Sequence, residues 1–238
     1  MNDLEAFFDA NESGPQIHKW RHYFEIYDQH FARWRGQALT FVEFGVSQGG
    51  SLRMWQHYFG PQARIVGVDI NPACKQFEAP GIEIVIGDQG DRGFLRELAA
   101  RLPAIDIVLD DGGHTMKQQI YTFDALFNCV AADGLYVVED MHTSYWPQFG
   151  GGLRKRGSFV EYAKGLIDRL HEWHLPDQRP AQVGPFARSV HGLHFYDSVL
   201  VVQKRPMPQP QHEKRGVAAA PEHHYSVAER IRRRVIGH

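Results

Sequence analysis

Phe41-Val42-Glu43-Phe44-Gly45-Val46-Ser47-Gln48-Gly49-Gly50-Ser51 is the stretch whose reading decides the fold. An apolar run, Leu39 to Phe44, ends in Gly45, a glycine-containing turn follows, and Ser51 to Phe59 takes helical spacing. A strand that passes through such a turn into a helix lets a ligand approach the backbone. It also offers that ligand the free N–H groups of the helix N-terminus. The spacing departs from the dinucleotide GxGxxG, because Gly45 is followed by Gly49 and Gly50.

Downstream the pattern repeats. Arg64 to Val68 reads as a strand closing on Asp69-Ile70, an acid placed to accept hydrogen bonds from ribose hydroxyls. An acid about 20 residues on is also the NAD pattern, so it does not choose the cofactor. The third strand, Ile82 to Ile86, ends in Gly87-Asp88-Gln89, a polar pair where an adenine edge would lie; a helix-cap acid is the alternative for Asp88. A helix at Arg92 to Arg101, a strand at Ile105 to Leu109, a helix at Met116 to Val130 and a strand at Leu135 to Val138 continue the alternation. Five strands separated by helices predict a parallel sheet covered on both faces. Two closing strands fit residues 191–204, with the reversal near Asp197 and Ser198.

Two polar clusters end consecutive strands: Asp110-Asp111-Gly112-Gly113-His114 and Glu139-Asp140-Met141-His142. Ligands of open α/β sheets bind beyond the carboxyl ends of the strands, so both clusters face one crevice. If the two strands are neighbours, Asp111, Glu139 and Asp140 converge. Three carboxylates without cysteine suit a hard, oxygen-liganded cation such as Mg²⁺ or Mn²⁺. His114, beyond a double glycine, is a candidate base for a hydroxyl whose acidity the cation raises, and His142 is a second. The bland alternative is that Asp110 and Asp111 cap the next helix while His114 packs. Paired acids directly after an apolar strand are costly unless liganded, which favours the site.

Together these pieces resemble the class I S-adenosylmethionine-dependent methyltransferases: E-x-G-x-x-x-G-G at Glu43 to Gly50, an acid closing the second strand, and an acid after the third. The resemblance covers roughly residues 40–205, paired final strands included. It implies a Rossmann-like, doubly wound α/β fold with a mostly parallel seven-stranded sheet and a final antiparallel pair. It places S-adenosylmethionine against Glu43, Gly45, Ser47, Gly49 and Ser51, with Asp69 and Ile70 at the ribose, Asp88 and Gln89 at the adenine, and Asp110 nearby. Residues 110–114, 137–147 (VVEDMHTSYWP) and 194–204 (HFYDSVLVVQK) are similar to the metal-dependent sugar O-methyltransferases of macrolide and polyketide tailoring. That narrower resemblance implies Asp111, Glu139 and Asp140 as Mg²⁺ ligands, His114 as base, and a saccharide or other small-molecule acceptor. The cephalosporin 7α-hydroxylase group shares fold and acids, and a non-catalytic binding module is the other rival.

The flanks carry less. Trp20, Tyr23, Phe24, Tyr27, Phe31 and Trp34 recur at three and four, which predicts one amphipathic helix over residues 15–35 within an N-terminal segment, 1–36. Its aromatic face is a packing surface, or one that serves a homo-oligomer. Residues 37–205 form the cofactor-binding domain. SYWPQFGGGLRKRG, residues 144–157, reads as a loop and candidate lid, with a helix from Ser158 to His174 after it. Residues 206–238 read as a Pro/Gln/His/Ala-rich linker and a short basic helix capped by Ser226. With 26 Lys+Arg against 28 Asp+Glu, no overall field argues for nucleic acid or an anionic membrane. Two cysteines are too few for a disulfide framework, and neither a secretion signal nor an 18-residue apolar run is present, so a cytoplasmic setting is expected.

Overall fold

The computed structural model describes residues 2–217 apart from 103 and 177, together with 219 and 226. Seven strands form one sheet: β1 (Thr40–Phe44), β2 (Arg64–Asp69), β3 (Ile82–Ile86), β4 (Ile105–Asp110), β5 (Val130–Val138), β6 (Val190–Phe195) and β7 (Leu200–Lys204). Their order is β3-β2-β1-β4-β5-β7-β6. The first five pair in parallel; β7 runs antiparallel to β5, and β6 antiparallel to β7. This is the expected seven-stranded, doubly wound sheet with its antiparallel closing pair.

Helices cover both faces because the central strands are apolar on both. Along β1, Phe41 packs to one side with α2 (Tyr23–Phe31) and α3 (Gly50–Phe59), while Val42 and Phe44 pack to the other. That second face carries α4 (Arg92–Arg101), α5 (Met116–Leu126), α6 (Phe159–Leu170) and α7 (Pro185–Ser189). The strand order reverses between β1 and β4, and both end at the same edge of the sheet. A crevice outside those ends is where an α/β sheet takes its ligand.

The N-terminal segment departs most from expectation. A short helix, α1 (Asp3–Ala10), opens it with a capping box between Asn2 and Glu5. Residues 15–22 are not helical: they form an irregular strap, and α2 begins only at Tyr23. Tertiary contact overrides helix spacing here. A side chain on Gly50 would lie 2.4 Å from both Pro15 and Gln16 carbonyl oxygens, so the strap backbone sits directly on the first turn of α3. Trp20 is consequently 54% exposed, whereas Tyr23, Phe24, Tyr27, Phe31 and Trp34 are buried within this chain.

The other differences are local. The helix expected over Met116–Val130 stops at Leu126; a 3-10 turn follows, and Val130 already pairs with Ile105 in β5. The helix expected from Ser158 to His174 runs from Phe159 to Leu170, with Ser158 as its cap. The candidate lid, residues 144–157, starts in a folded corner of two 3-10 turns, Met141–Tyr145 and Pro147–Phe149, and continues through residues 150–157 without helix or strand. Gly151 and Gly152 donate to the carbonyls of Trp146 and Ser144 at 3.0 and 2.8 Å, which pins its glycine run to the corner. Five-residue α7 is too short for periodicity to show. Residues 208–217 are irregular and exposed, and the expected basic helix lies outside the described residues. No described helix is long and apolar enough to cross a membrane.

Candidate functional site

The carboxyl ends of β1, β2, β4 and β5, closed by the strap, surround a cleft of about 390 Å³. Gly45 follows β1 with φ +92°, and a Cβ there would lie 2.0 Å from the Asp111 carbonyl oxygen. Only glycine brings this turn so close to the acid cluster. Gly45→Ala is therefore expected to cost about 3 kcal/mol, from the positive φ and the overlap together. Differential scanning fluorimetry should read this as a fall of roughly 6–12 °C in Tm; a Tm unchanged within error would refute the packing argument.

Asp69 Oδ2 accepts from the Val46 and Ser47 N–H groups at 2.9 and 3.0 Å, and Oδ1 accepts from Asn71 N–H at 2.8 Å. The acid at the end of β2 thus holds the glycine turn in shape. Gly45, Ser47, Ser51, Asp69, Ile70, Asp88 and Gln89 all line the cleft. Three residues assigned to the cofactor side lie behind its wall. Glu43 is fully buried and accepts from Ser51 Oγ at 2.8 Å and Trp55 Nε1 at 3.0 Å, tying α3 to β1. Gly49 presses on the Phe77 ring. Asp110 is buried, with Oδ1 accepting from Gln89 Nε2 at 2.6 Å; burial pushes its carboxyl up to about 7.

Across the cleft, Asp111, His114 and Asp140 bring one donor atom each within 4.8 Å of one another. His114 Nε2 lies 3.4 Å from Asp140 Oδ2 and 3.8 Å from Asp111 Oδ1, and its Nδ1 is buried without a partner. Ser47, His114, Asp140 and Ser198 are four of the five non-glycine residues with positive φ among those described. Backbone strain of this kind, about 1–3 kcal/mol per residue, persists where surrounding structure enforces a functional geometry. His142 is not in the cleft lining: its Nδ1 is 2.5 Å from Ser198 Oγ and 3.9 Å from Asp140 Oδ1, and its ring makes edge contacts with Trp146 and with Trp20.

Glu139 is placed differently from the other acids. Lys19 Nζ, on the strap, donates to both its oxygens at 2.9 and 3.0 Å and also to Asp111 Oδ2, with Glu43 Oε1 at 3.7 Å. Tyr27 donates to Glu139 as well, and Tyr23 to Asp140 Oδ1 at 2.7 Å. Lys19, Tyr23 and Tyr27 carry no signal of these roles, because each partner lies more than 90 residues away. Tyr23 and Tyr27 read simply as members of the aromatic stripe.

The electrostatics fit a divalent cation. Burial, reinforced by neighbouring acids, pushes Asp111 up to about 7 and Glu139 up to about 8. Burial also opposes the charge on Lys19, but Asp111, Glu139 and Glu43 outweigh it and hold the ammonium charged. One ammonium thus serves more carboxylates than it can neutralise, and further positive charge is favoured there. Burial lowers the His114 pKa from 6.5, keeping the imidazole neutral at pH 7.

No family model matches the chain. The 8-demethyl-8-alpha-L-rhamnosyl tetracenomycin-C 2'-O-methyltransferase of Streptomyces olivaceus is 42% identical over 193 residues, 77% of this chain and 50% of its own. The mycinamicin VI 2''-O-methyltransferase of Micromonospora griseorubida is 39% identical over 188 residues, 75% of this chain and 47% of its own. The solved MycE methyltransferase of the mycinamycin biosynthetic pathway, in complex with Mg, SAH and mycinamycin VI, is similar with a TM-score of 0.77 at 35% identity. That match covers 86% of this chain and 54% of the MycE chain. The chain spans about half the length of the curated relatives it matches.

Proposed function

The chain belongs to the class I S-adenosylmethionine-dependent methyltransferases, as a relative of the sugar O-methyltransferases of macrolide and tetracenomycin pathways, and on that premise we propose that it methylates a hydroxyl of a sugar or glycosylated small molecule with Mg²⁺ or Mn²⁺ as helper. The observation that carries this reading is a single cleft lined on one wall by the glycine turn and on the other by Asp111, His114 and Asp140.

S-adenosylmethionine supplies an electrophilic methyl carbon, and a divalent cation raises the acidity of a hydroxyl that it touches. The remaining work falls to the chain. The turn at Gly45 to Gly50, shaped by Asp69, presents backbone to the donor; Asp88 and Gln89 line the other end of its bed. Asp111, Glu139 and Asp140 would hold the cation. His114 Nε2, neutral and beside Asp140, accepts the proton of the acceptor hydroxyl. A vicinal diol offers the chelating oxygen pair that such a site takes, which favours a sugar. The strap contributes Gln16 to Trp20 to the wall of the cleft. The free thiols of Cys74 and Cys129 support a reducing, cytoplasmic setting. A homo-oligomer, which light scattering would read, would have to use another surface, because the aromatic face of residues 23–34 is buried within the chain.

The test is calorimetric titration with S-adenosylhomocysteine, with and without Mg²⁺, on the wild type and Asp69→Ala. Micromolar binding, weakened about tenfold or more in the variant, is expected from loss of the acid that shapes the turn and faces the ribose. Absence of binding under every condition would sink the methyltransferase reading. Rhamnosylated tetracenomycin and glycosylated macrolides are the first acceptors to assay.

A further inference from the structure

Lys19 Nζ reaches Asp111 Oδ2 and both oxygens of Glu139, and its side chain is only 2% exposed. An ammonium has three N–H donors and accepts nothing, so its whole capacity is spent on two of the three acids proposed as metal ligands. Tyr27 takes a further lone pair of Glu139. A divalent cation on Glu139 must share oxygens that Lys19 and Tyr27 already use, and on Asp111 it finds Oδ1 open but the ammonium on Oδ2 beside it. Two positive charges a few ångströms apart also repel, more strongly in a buried site than in water.

Lys19 belongs to the strap, and it is the strap's deepest anchor. Elsewhere residues 15–22 are held by close backbone packing on Gly50, by an edge contact of Trp20 with His142, and by His22 Nε2 at 3.1 Å from the Asp197 carbonyl. The strap forms a wall of the cleft, contributing Gln16 to Trp20.

Resting on the metal-dependent reading above, we propose that Lys19 is a positioning residue that sets the cation affinity of the site: its ammonium competes with the divalent ion for Asp111 and Glu139. Cation binding drives Lys19 out of its pocket and frees that part of the strap. Since linkage is reciprocal, whatever holds the strap down weakens the cation, and the cation loosens the strap.

Two readouts other than turnover test this. Calorimetric titration with Mn²⁺ should find Lys19→Met, which keeps the aliphatic stem, binding roughly 10- to 100-fold tighter than wild type. Lys19→Arg, which keeps the charge, should bind no tighter than wild type. In the wild-type protein, a brief pulse of an amine-acetylating reagent read by mass spectrometry should label Lys19 several-fold faster with saturating Mn²⁺. Lys75 and Lys164, each 53% exposed, should react equally with and without metal. Unchanged affinity in folded Lys19→Met, or Lys19 labelling indifferent to bound Mn²⁺, overturns the competition while leaving the metal site standing. Should Lys19→Met not fold, the wild-type labelling decides alone. Mn²⁺ binding to neither wild type nor Lys19→Met would overturn the metal reading itself, and the competition with it.

Discussion

Replacing His114 by alanine is expected to lower kcat by roughly 10²- to 10⁴-fold, the usual contribution of a positioned general base. Affinities for S-adenosylhomocysteine and Mg²⁺ should stay near those of the wild type, because the imidazole is proposed to handle a proton and not to hold either ligand. The geometry makes this demanding. His114 sits in a left-handed backbone conformation after two glycines, with Nδ1 buried and Nε2 turned toward Asp140 and Asp111. Burial lowers its pKa from 6.5, against the attraction of Asp140 and Glu139. A base must be deprotonated to act, so at saturating Mg²⁺, which keeps Asp111 and Glu139 ionised, wild-type kcat/KM should hold its plateau at neutral pH and fall through an apparent pKa below 6.5. That acid limb should vanish in His114→Ala. A variant with wild-type turnover would remove His114 from the mechanism and leave His142 as the candidate. A parallel loss of metal affinity would make His114 a ligand, as its place in the convergent trio with Asp111 and Asp140 also allows.

Asp111→Ala should be the severest single change to the metal half, weakening Mn²⁺ binding by about two orders of magnitude or more and abolishing detectable methyl transfer. The fold should survive it. Lys19 keeps Glu139 at 2.9 and 3.0 Å and Glu43 at 3.7 Å, so no buried ammonium is left unpaired. The Asp111 main chain still donates to the Phe44 carbonyl at 3.1 Å and still backs Gly45. Binding of S-adenosylhomocysteine and Tm should therefore change little. Isothermal titration and fluorimetry on the same sample separate the outcomes: intact Mn²⁺ binding would take Asp111 out of the ligand set, whereas a collapsed Tm would mean that the carboxylate is chiefly structural.

The contrast between Asp69 and Lys19 locates the boundary between what was legible and what was not. Asp69 is the last residue of an apolar strand, and its place at the cleft edge is fixed by strand and turn alone. Asp111, Glu139 and Asp140 were legible in the same way, because neighbouring parallel strands must end at the same edge. Their detailed chemistry was not. The strands bring the acids together, but Glu139 faces Lys19 and Tyr27 across more than a hundred residues, and no local spacing encodes that. Glu43 reads as a cofactor residue from its motif, yet it lies buried beneath the turn, bonded to Trp55 and Ser51.

The sequence by itself determined the alternation of strands and helices from Leu39 to Val138, the closing strand pair, the glycine turn and the two acidic strand ends, because periodicity and glycine placement are local properties of a chain. Only the tertiary structure decided that residues 15–22 form a strap, that its lysine enters the acid cluster, and which oxygens that lysine takes. Those outcomes follow from buried charge: an ammonium and several carboxylates leave water only in each other's company, and their meeting depends on the packing of the whole sheet.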